Sequence, residues 1–538
     1  MQRVVLGLPD NNQLQSGRLP GVTRESSPMS QFLLSEQIGR AAGLYPERKA
    51  VVFEDRSWTW SALESLVMEQ AGALSGLGAG PDQRVAVLAH NSDLYFALYF
   101  SIPAVGATAV PVNIRLAEPE IIDLLADCET SILLVDEHFV DIVSVLKSRC
   151  PGIRHYVYIG RGDCPAGMST LATDTPLQAP AETEIAALFY TGGTTGRPKG
   201  VMQSHQSMIF NTLQWVATTG TSSEDSLLIA APMFHLVAGM NCVAAAVLAA
   251  KLVILPRFDA ELTLRAIEEQ RITKMALVPA MVDMLLRHER FAEFDIGSLK
   301  KISYGGAPMP EEILTRAQAA MPDVEFIQIY GQTECCGTVT CLSPAYHTLT
   351  GPNATKRRSA GRPVPGTRVA ILSPDGDALP IGEVGEICVR SPASTPGYWR
   401  QPETTEALFE FDWLHTGDLG YLDEDGFLFI VDRLKDMIVT GGENVFATEV
   451  ENVIYQLEGV LQCAVIGIPD ERWGELVHAV IHCAPGTELS AEQVMAHCRQ
   501  FLANYKCVRS VEFREESLPL SAMNKILKQE LRKPWLKK

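Results

Sequence analysis

From Ser30 onward the chain alternates two hydrophobic patterns. Residues 35–43 and 94–104 carry apolar side chains at helical spacing, whereas 85–88 and 107–110 are short apolar runs of the kind that fill buried strands. Alternation of helix and buried strand predicts βαβ units around a parallel sheet. The same grammar returns at 252–255, 262–270 and 274–278, so a second parallel sheet is predicted beside the first. Beyond about Ser359 the texture changes to strands separated by Gly/Pro turns, as in VAILSPDGDALPIGEVGEICVR, where Asp375-Gly376 is a hairpin signal. After DRLKD at 432–436 come a helix at 448–456, strands around 464–468 and 479–483, and a helix at 491–502. The expected fold class is therefore α/β. Two packed parallel-sheet lobes and a small β subdomain occupy 30–434, a smaller α+β module occupies 435–538, and residues 1–29 form a loose extension.

Composition narrows the partners. With 46% hydrophobic and 20% charged residues in 538, the chain has a globular balance and enough apolar material for large cores. Lys plus Arg number 45 against 64 Asp plus Glu, a net charge of −19, so the average field repels polyanions and argues against nucleic acid as a partner. The most apolar window, 238–255, contains Asn241 and Lys251 and reads as a buried helix followed by a buried strand, not a transmembrane segment. Twelve cysteines without a CxxC pair indicate neither a zinc ribbon nor a disulfide framework, and are read as reduced thiols in a cytoplasmic protein. A homodimer is left open.

The strongest local signal is FYTGGTTGRPKG at 189–200, a strand end running into a loop of small and hydroxyl residues. Gly192, Gly193 and Gly196 let backbone approach an anion, Thr191, Thr194 and Thr195 add donors, and Lys199 adds charge. It is not a Walker A loop, because Pro198 precedes the lysine and Gly200 follows it. A plain Gly/Thr turn is the bland alternative.

Taken with PMFH at 232–235, YGGAPM at 304–309, YGQTE at 330–334, TGD at 416–418, DRLKDMIVTGGEN at 432–444 and NKI at 524–526, this loop resembles the adenylate-forming superfamily of acyl-CoA synthetases, firefly luciferase and peptide-synthetase adenylation domains. The resemblance runs from Ser30 to Pro534. It implies that ATP, Mg²⁺ and coenzyme A are used, and it assigns roles. Tyr330 would stack on adenine opposite Gly305, Gly306 and Ala307, with Gln328, Ile329 and Gly331 alongside. Thr333 would contact the α-phosphate, Glu334 would hold Mg²⁺, and Asp418 and Arg433 would bind the ribose. Lys525 would neutralise charge as the carboxylate attacks the α-phosphorus, an effect worth on the order of 10²–10³ in rate. Asn524 departs from the glycine that relatives place before this lysine, although asparagine tolerates positive φ. Lys435 stands at the hinge of a mobile C-terminal module, and rotation there would exchange Lys525 for the Gly441-Gly442-Glu443 loop that admits the CoA thiol.

The same resemblance places His235, Tyr304, Cys335 and Gly337 in the acyl pocket. Its small, mostly neutral lining favours a monocarboxylic acid over a dicarboxylate, and medium or long fatty acids over aryl acids of the coumarate type. The expected activity is an AMP-forming acid–CoA ligase. The alternatives are an aryl-acid ligase, an adenylating enzyme that feeds a carrier protein, and a degenerate nucleotide-binding module.

Overall fold

Ser92 starts a helix by accepting the Tyr95 amide on its hydroxyl, and every residue from Tyr95 to the end of that helix, Asp93–Ala104, is buried. A helix apolar on all sides must lie between layers. The computed structural model, which describes residues 33–173, 176–177, 181, 183–191, 199–307, 309–520 and 526–536, shows which layers these are. The extension expected at 1–29 lies outside the described residues.

On one side of that helix is a seven-stranded sheet, ordered Ser169–Thr170, His155–Tyr158, Ile132–Val135, Arg84–Leu88, Thr108–Pro111, Ile185–Thr191 and Lys199–Ser204, parallel except for the last pair. On the other is a nine-stranded sheet. Its parallel part runs Glu325–Tyr330, Lys301–Gly305, Lys274–Leu277, Ser226–Ile229, Lys251–Ile254 and Lys49–Phe53, and antiparallel strands flank it at both ends.

One core takes Val85, Val87 and Ala187 from the first sheet and Leu227, Ile229 and Leu252 from the second, with the helices Leu34–Leu44, Trp60–Gly76, Asp93–Ala104 and Leu236–Leu248 between them. The outer face of the nine-stranded sheet is covered by Ala260–Gln270, Pro279–Leu286 and Glu311–Ala320, and that of the seven-stranded sheet by Glu118–Asp127 and Val143–Arg149. The result is a five-layer α/β/α/β/α stack. The apolar window at 238–255 is a buried helix that ends at Ala249 in the left-handed region and turns directly into the strand Lys251–Ile254. No helix among the described residues is long and apolar enough to cross a membrane. All twelve cysteines are free.

Beyond the stack, Arg368–Leu372, Gly385–Arg390, Leu414–Leu422 and Leu428–Arg433 form an antiparallel sheet. The expected turn at Asp375-Gly376 is present, with Gly376 at φ +85, but the main partner of its leading strand is Gly385–Arg390. A last sheet is built around the long pair Val460–Asp470 and Gly474–Cys483. The helices Ala447–Ile454 and Ala491–Phe501 cover one face of it, and Lys528–Leu536 covers the other.

Asn91 joins the two large sheets. Its Nδ2 donates to the carbonyls of Ala231 (2.9 Å) and Leu255 (3.0 Å), and its Oδ1 accepts the Met233 amide (2.7 Å). The residue is 4% exposed, so Asn91→Ala strands three backbone groups away from water. The expected loss is about 2–4 kcal/mol, read as a fall in the urea midpoint. An unchanged midpoint would remove Asn91 as the tie between the sheets.

Candidate active site

The strands Lys301–Gly305 and Glu325–Tyr330 run parallel with Gly305 opposite Ile329, so the loops that follow them leave the sheet side by side. Ligands of open α/β sheets bind at such carboxyl ends. A Cβ on Gly305 would stand 2.3 Å from the Ile329 carbonyl oxygen, and one on Gly331 would stand 2.0 Å from that of Gly337. Only glycine lets these backbones approach so closely. Tyr330 ends its strand and donates its hydroxyl to Asp418 Oδ2 at 2.8 Å. Burial, then the Asp418 charge, raises the Tyr330 pKa, so the phenol keeps its proton and donates. Asp418 is paired across the β subdomain with Arg433, whose Nε lies 3.3 Å from Oδ1. A flat ring, a carboxylate and a guanidinium thus meet at one edge.

The second half of the site is built around Glu334. Its Oε1 accepts the Tyr398 hydroxyl at 2.9 Å, and its backbone carbonyl accepts the Thr395 amide at 2.8 Å. Gln203, fully buried, donates to the Thr333 carbonyl at 2.6 Å and so fixes the turn that presents Thr333 and Glu334. Thr191 and Lys199 pair across the neck of the glycine-rich loop. The Lys199 ammonium stands 5.1 Å from the centre of the Tyr398 ring. Residues 397–399 run beside the strand leaving that loop, with bonds from Met202 N to Gly397 O (3.0 Å) and from Trp399 N to Gly200 O (2.7 Å). Tyr398 therefore meets both the acid and the base of the site.

On the inner side, His235 opens the helix Leu236–Leu248 and its ring lies 4.3 Å from that of Phe234. Gly337 has φ +114. Cys335 and Cys336 are buried, and burial pushes the Cys336 thiol up to about 12, which makes it a packing group and not a thiolate nucleophile. Tyr304 corrects the expectation for the acyl pocket. Side chains alternate along a strand, and Tyr304 points to the outer face, where it packs with the outer helices and its hydroxyl meets His347 Nε2 at 2.9 Å.

Residues 38–399 match the model of the AMP-binding enzyme family, and residues 449–525 match that of the AMP-binding enzyme C-terminal domain. The chain belongs to the AMP-binding enzyme family. It is 36% identical over 497 residues to a feruloyl-CoA synthase of Amycolatopsis sp, covering 92% of this chain and 97% of that protein. It is 35% identical over 482 residues to the long-chain-fatty-acid–CoA ligase FadD13 of Mycobacterium tuberculosis, covering 89% and 94%. The o-succinylbenzoate coenzyme A synthetase of Bacillus subtilis, solved with ATP and a magnesium ion, superposes with a TM-score of 0.81 at 29% identity, covering 92% of this chain and 98% of that one.

Not every expected position can be placed. Gly192, Gly193, Thr194, Thr195 and Gly196 of the loop, and Asn524 and Lys525 near the C-terminus, lie outside the described residues. Lys528, three positions beyond Lys525, is committed to an ion pair with Glu451 at 2.8 Å. Gly441 and Gly442 form the two-residue turn between Ile438–Thr440 and Glu443–Val445, both with positive φ (+61 and +86), and with Glu443 they are exposed. Lys435 is exposed in the single turn Leu434–Asp436 that follows Arg433. Gln328 accepts from Tyr304 at 3.4 Å, and Gly306 and Ala307 follow directly from the Lys301–Gly305 strand.

Glu334 suits a hard divalent cation. One oxygen is held by Tyr398 and the other has no donor among the described residues, which fits an ion such as Mg²⁺ that takes its remaining ligands from phosphate and water. Tyr398 and Gln203 are the functional candidates the sequence did not reveal, and the Gly-Tyr-Trp run at 397–399 was the available signal. Tyr398→Phe should weaken Mg²⁺-dependent ATP binding by about tenfold, as loss of a partner that orients a metal ligand commonly does. Calorimetric titration of ATP across a Mg²⁺ series checks this, and an unchanged Mg²⁺ requirement would contradict it.

Proposed function

We propose that the protein is an ATP-dependent ligase that joins a monocarboxylic acid to coenzyme A and releases AMP and pyrophosphate. The observation that carries the reading is the convergence of Tyr330, Asp418 and Arg433 with Glu334 and Lys199 at the carboxyl end of one parallel sheet. Tyr330 offers its ring to the adenine, and Asp418 and Arg433 face the ribose. Thr191, Lys199 and Thr333 face the phosphates, and Glu334 holds Mg²⁺, which would supply charge neutralisation on the phosphate oxygens.

In the first step a carboxylate oxygen of the acid bonds to the α-phosphorus while the bond to pyrophosphate breaks. In the second a CoA thiol, losing its proton, attacks the acyl carbonyl and expels AMP. Neither step needs a protein nucleophile, consistent with the buried cysteines around the site. Orientation and charge supply the catalysis. Lys525 serves the first step, and the Gly441-Gly442-Glu443 turn serves the second after rotation about Lys435. A cytoplasmic setting agrees with twelve free thiols. The fatty-acid and feruloyl relatives are nearly equally similar, so overall identity does not choose the acid.

Lys525→Ala separates the steps. Acid-dependent pyrophosphate release should fall by about 10²–10³, whereas thioester formation from supplied acyl-adenylate should stay within a few fold of wild type. Equal loss of both half-reactions would contradict the two-step scheme.

A further inference from the structure

The strands Gly385–Arg390 and Leu414–Leu422 pair through a bulge. Glu386 lies opposite Leu419, but Cys388, two residues on, lies opposite His415, so residues 416–418 face the single Ile387. Bulges re-aim side chains. This one gathers a carboxylate oxygen of Glu386, the sulfur of Cys388 and a ring nitrogen of His415 within 4.8 Å of one another. His415 Nδ1 is the common point, 3.5 Å from Cys388 Sγ and 2.8 Å from Glu386 Oε2. The atoms turned away from the cluster are held from outside. The Gly417 amide donates to Glu386 Oε1 at 2.9 Å, and His415 Nε2 lies 3.1 Å from the Glu410 carbonyl, ahead of a turn in which Phe411 and Asp412 have positive φ (53 and 61). A carbonyl only accepts, so Nε2 carries the hydrogen and Nδ1 of the neutral ring presents its lone pair. That lone pair faces a carboxylate, a second acceptor, and a positive group belongs between them.

A ring N–H on a backbone carbonyl and a carboxylate oxygen on a backbone amide are the outer contacts that orient metal-binding histidines and carboxylates. The spacing agrees. In a tetrahedral site, Zn–S of about 2.3 Å and Zn–N of about 2.0–2.1 Å set sulfur and nitrogen about 3.5 Å apart, which is the Cys388–His415 distance. Nitrogen and oxygen stand about 3.4 Å apart in such a site, so the torsions of Glu386 need to give by only about half an ångström. We propose that Glu386 Oε2, Cys388 Sγ and His415 Nδ1 form a Zn²⁺ site on the β subdomain, with water as the fourth ligand. Thiolate and imidazole select a borderline-soft ion over Mg²⁺, so this ion is distinct from the one assigned to Glu334. On binding, the metal takes the place of the thiol proton, and the charges of thiolate and carboxylate offset those of the ion. The His415 and Glu386 side chains are 14% and 20% exposed, which admits the ion and its water. Through the Gly417 amide the site also steadies the residue before Asp418.

The test uses the full chain without a polyhistidine tag, stripped of metal and kept reduced by a phosphine. Zn²⁺ alone, titrated in competition with a chromophoric chelator, should bind with a Kd of about 10 μM or below. Co²⁺ in its place should give the intense visible bands of a tetrahedral ion and a thiolate-to-metal charge-transfer band in the near ultraviolet. Cys388→Ser should remove the charge-transfer band and weaken Zn²⁺ binding by more than about tenfold, since loss of a mere outer partner already costs about 10–100-fold. His415→Asn should weaken binding to the same extent, and it decides the matter where the serine variant does not fold. Weaker binding to wild type would overturn the inference and leave a second ring proton as the positive group. A charge-transfer band that persists in Cys388→Ser would give the thiolate to another cysteine. Binding untouched by both variants would put the ion elsewhere, as at His90, Asp136 and His138, and either result overturns the site.

Discussion

The hydroxyl of Tyr330 donates to the carboxylate of Asp418, and the cleft depends on that bond because it joins two separately built sheets. Tyr330 is the last residue of a central parallel strand, and Asp418 belongs to an antiparallel sheet 88 residues further along the chain. The bond sets the ring of one against the carboxylate of the other. Arg433 follows Asp418 by strand register, and Lys435 follows Arg433 by sequence, so the place of the proposed hinge is inherited from the same contact.

A second tie is independent of the first. Tyr398 links Glu334 to the strand that leaves the glycine-rich loop, so the residue suited to a cation and the lysine suited to phosphate are held to one another. The net charge of −19 does not oppose this, because the cations that matter are local. A triphosphate carrying Mg²⁺ needs a pocket with a few positive groups, not a positive protein.

The layered fold was legible because helices and buried strands have different hydrophobic periods, and the helix-then-strand reading of 238–255 needed nothing more. Tyr330 and Asp418 could be singled out because glycines, threonines and charges stand at fixed spacing around them, and the structure brings the two together at 2.8 Å. Tyr398, Gln203 and Asn91 were not, since each acts through a partner 64, 130 or 140 residues away and no local pattern marks such a pair. Tyr304 failed for a simpler reason: adjacent residues of a strand face opposite sides, and a motif does not state which side its first residue takes.

The most direct measurement is a crystal structure of the protein with a non-hydrolysable acyl-adenylate analogue. The base should lie against Tyr330, the ribose hydroxyls on Asp418, and the acyl group should be directed toward Gly337. A nucleoside bound away from Tyr330 and Asp418, or an acyl group directed elsewhere, would contradict it.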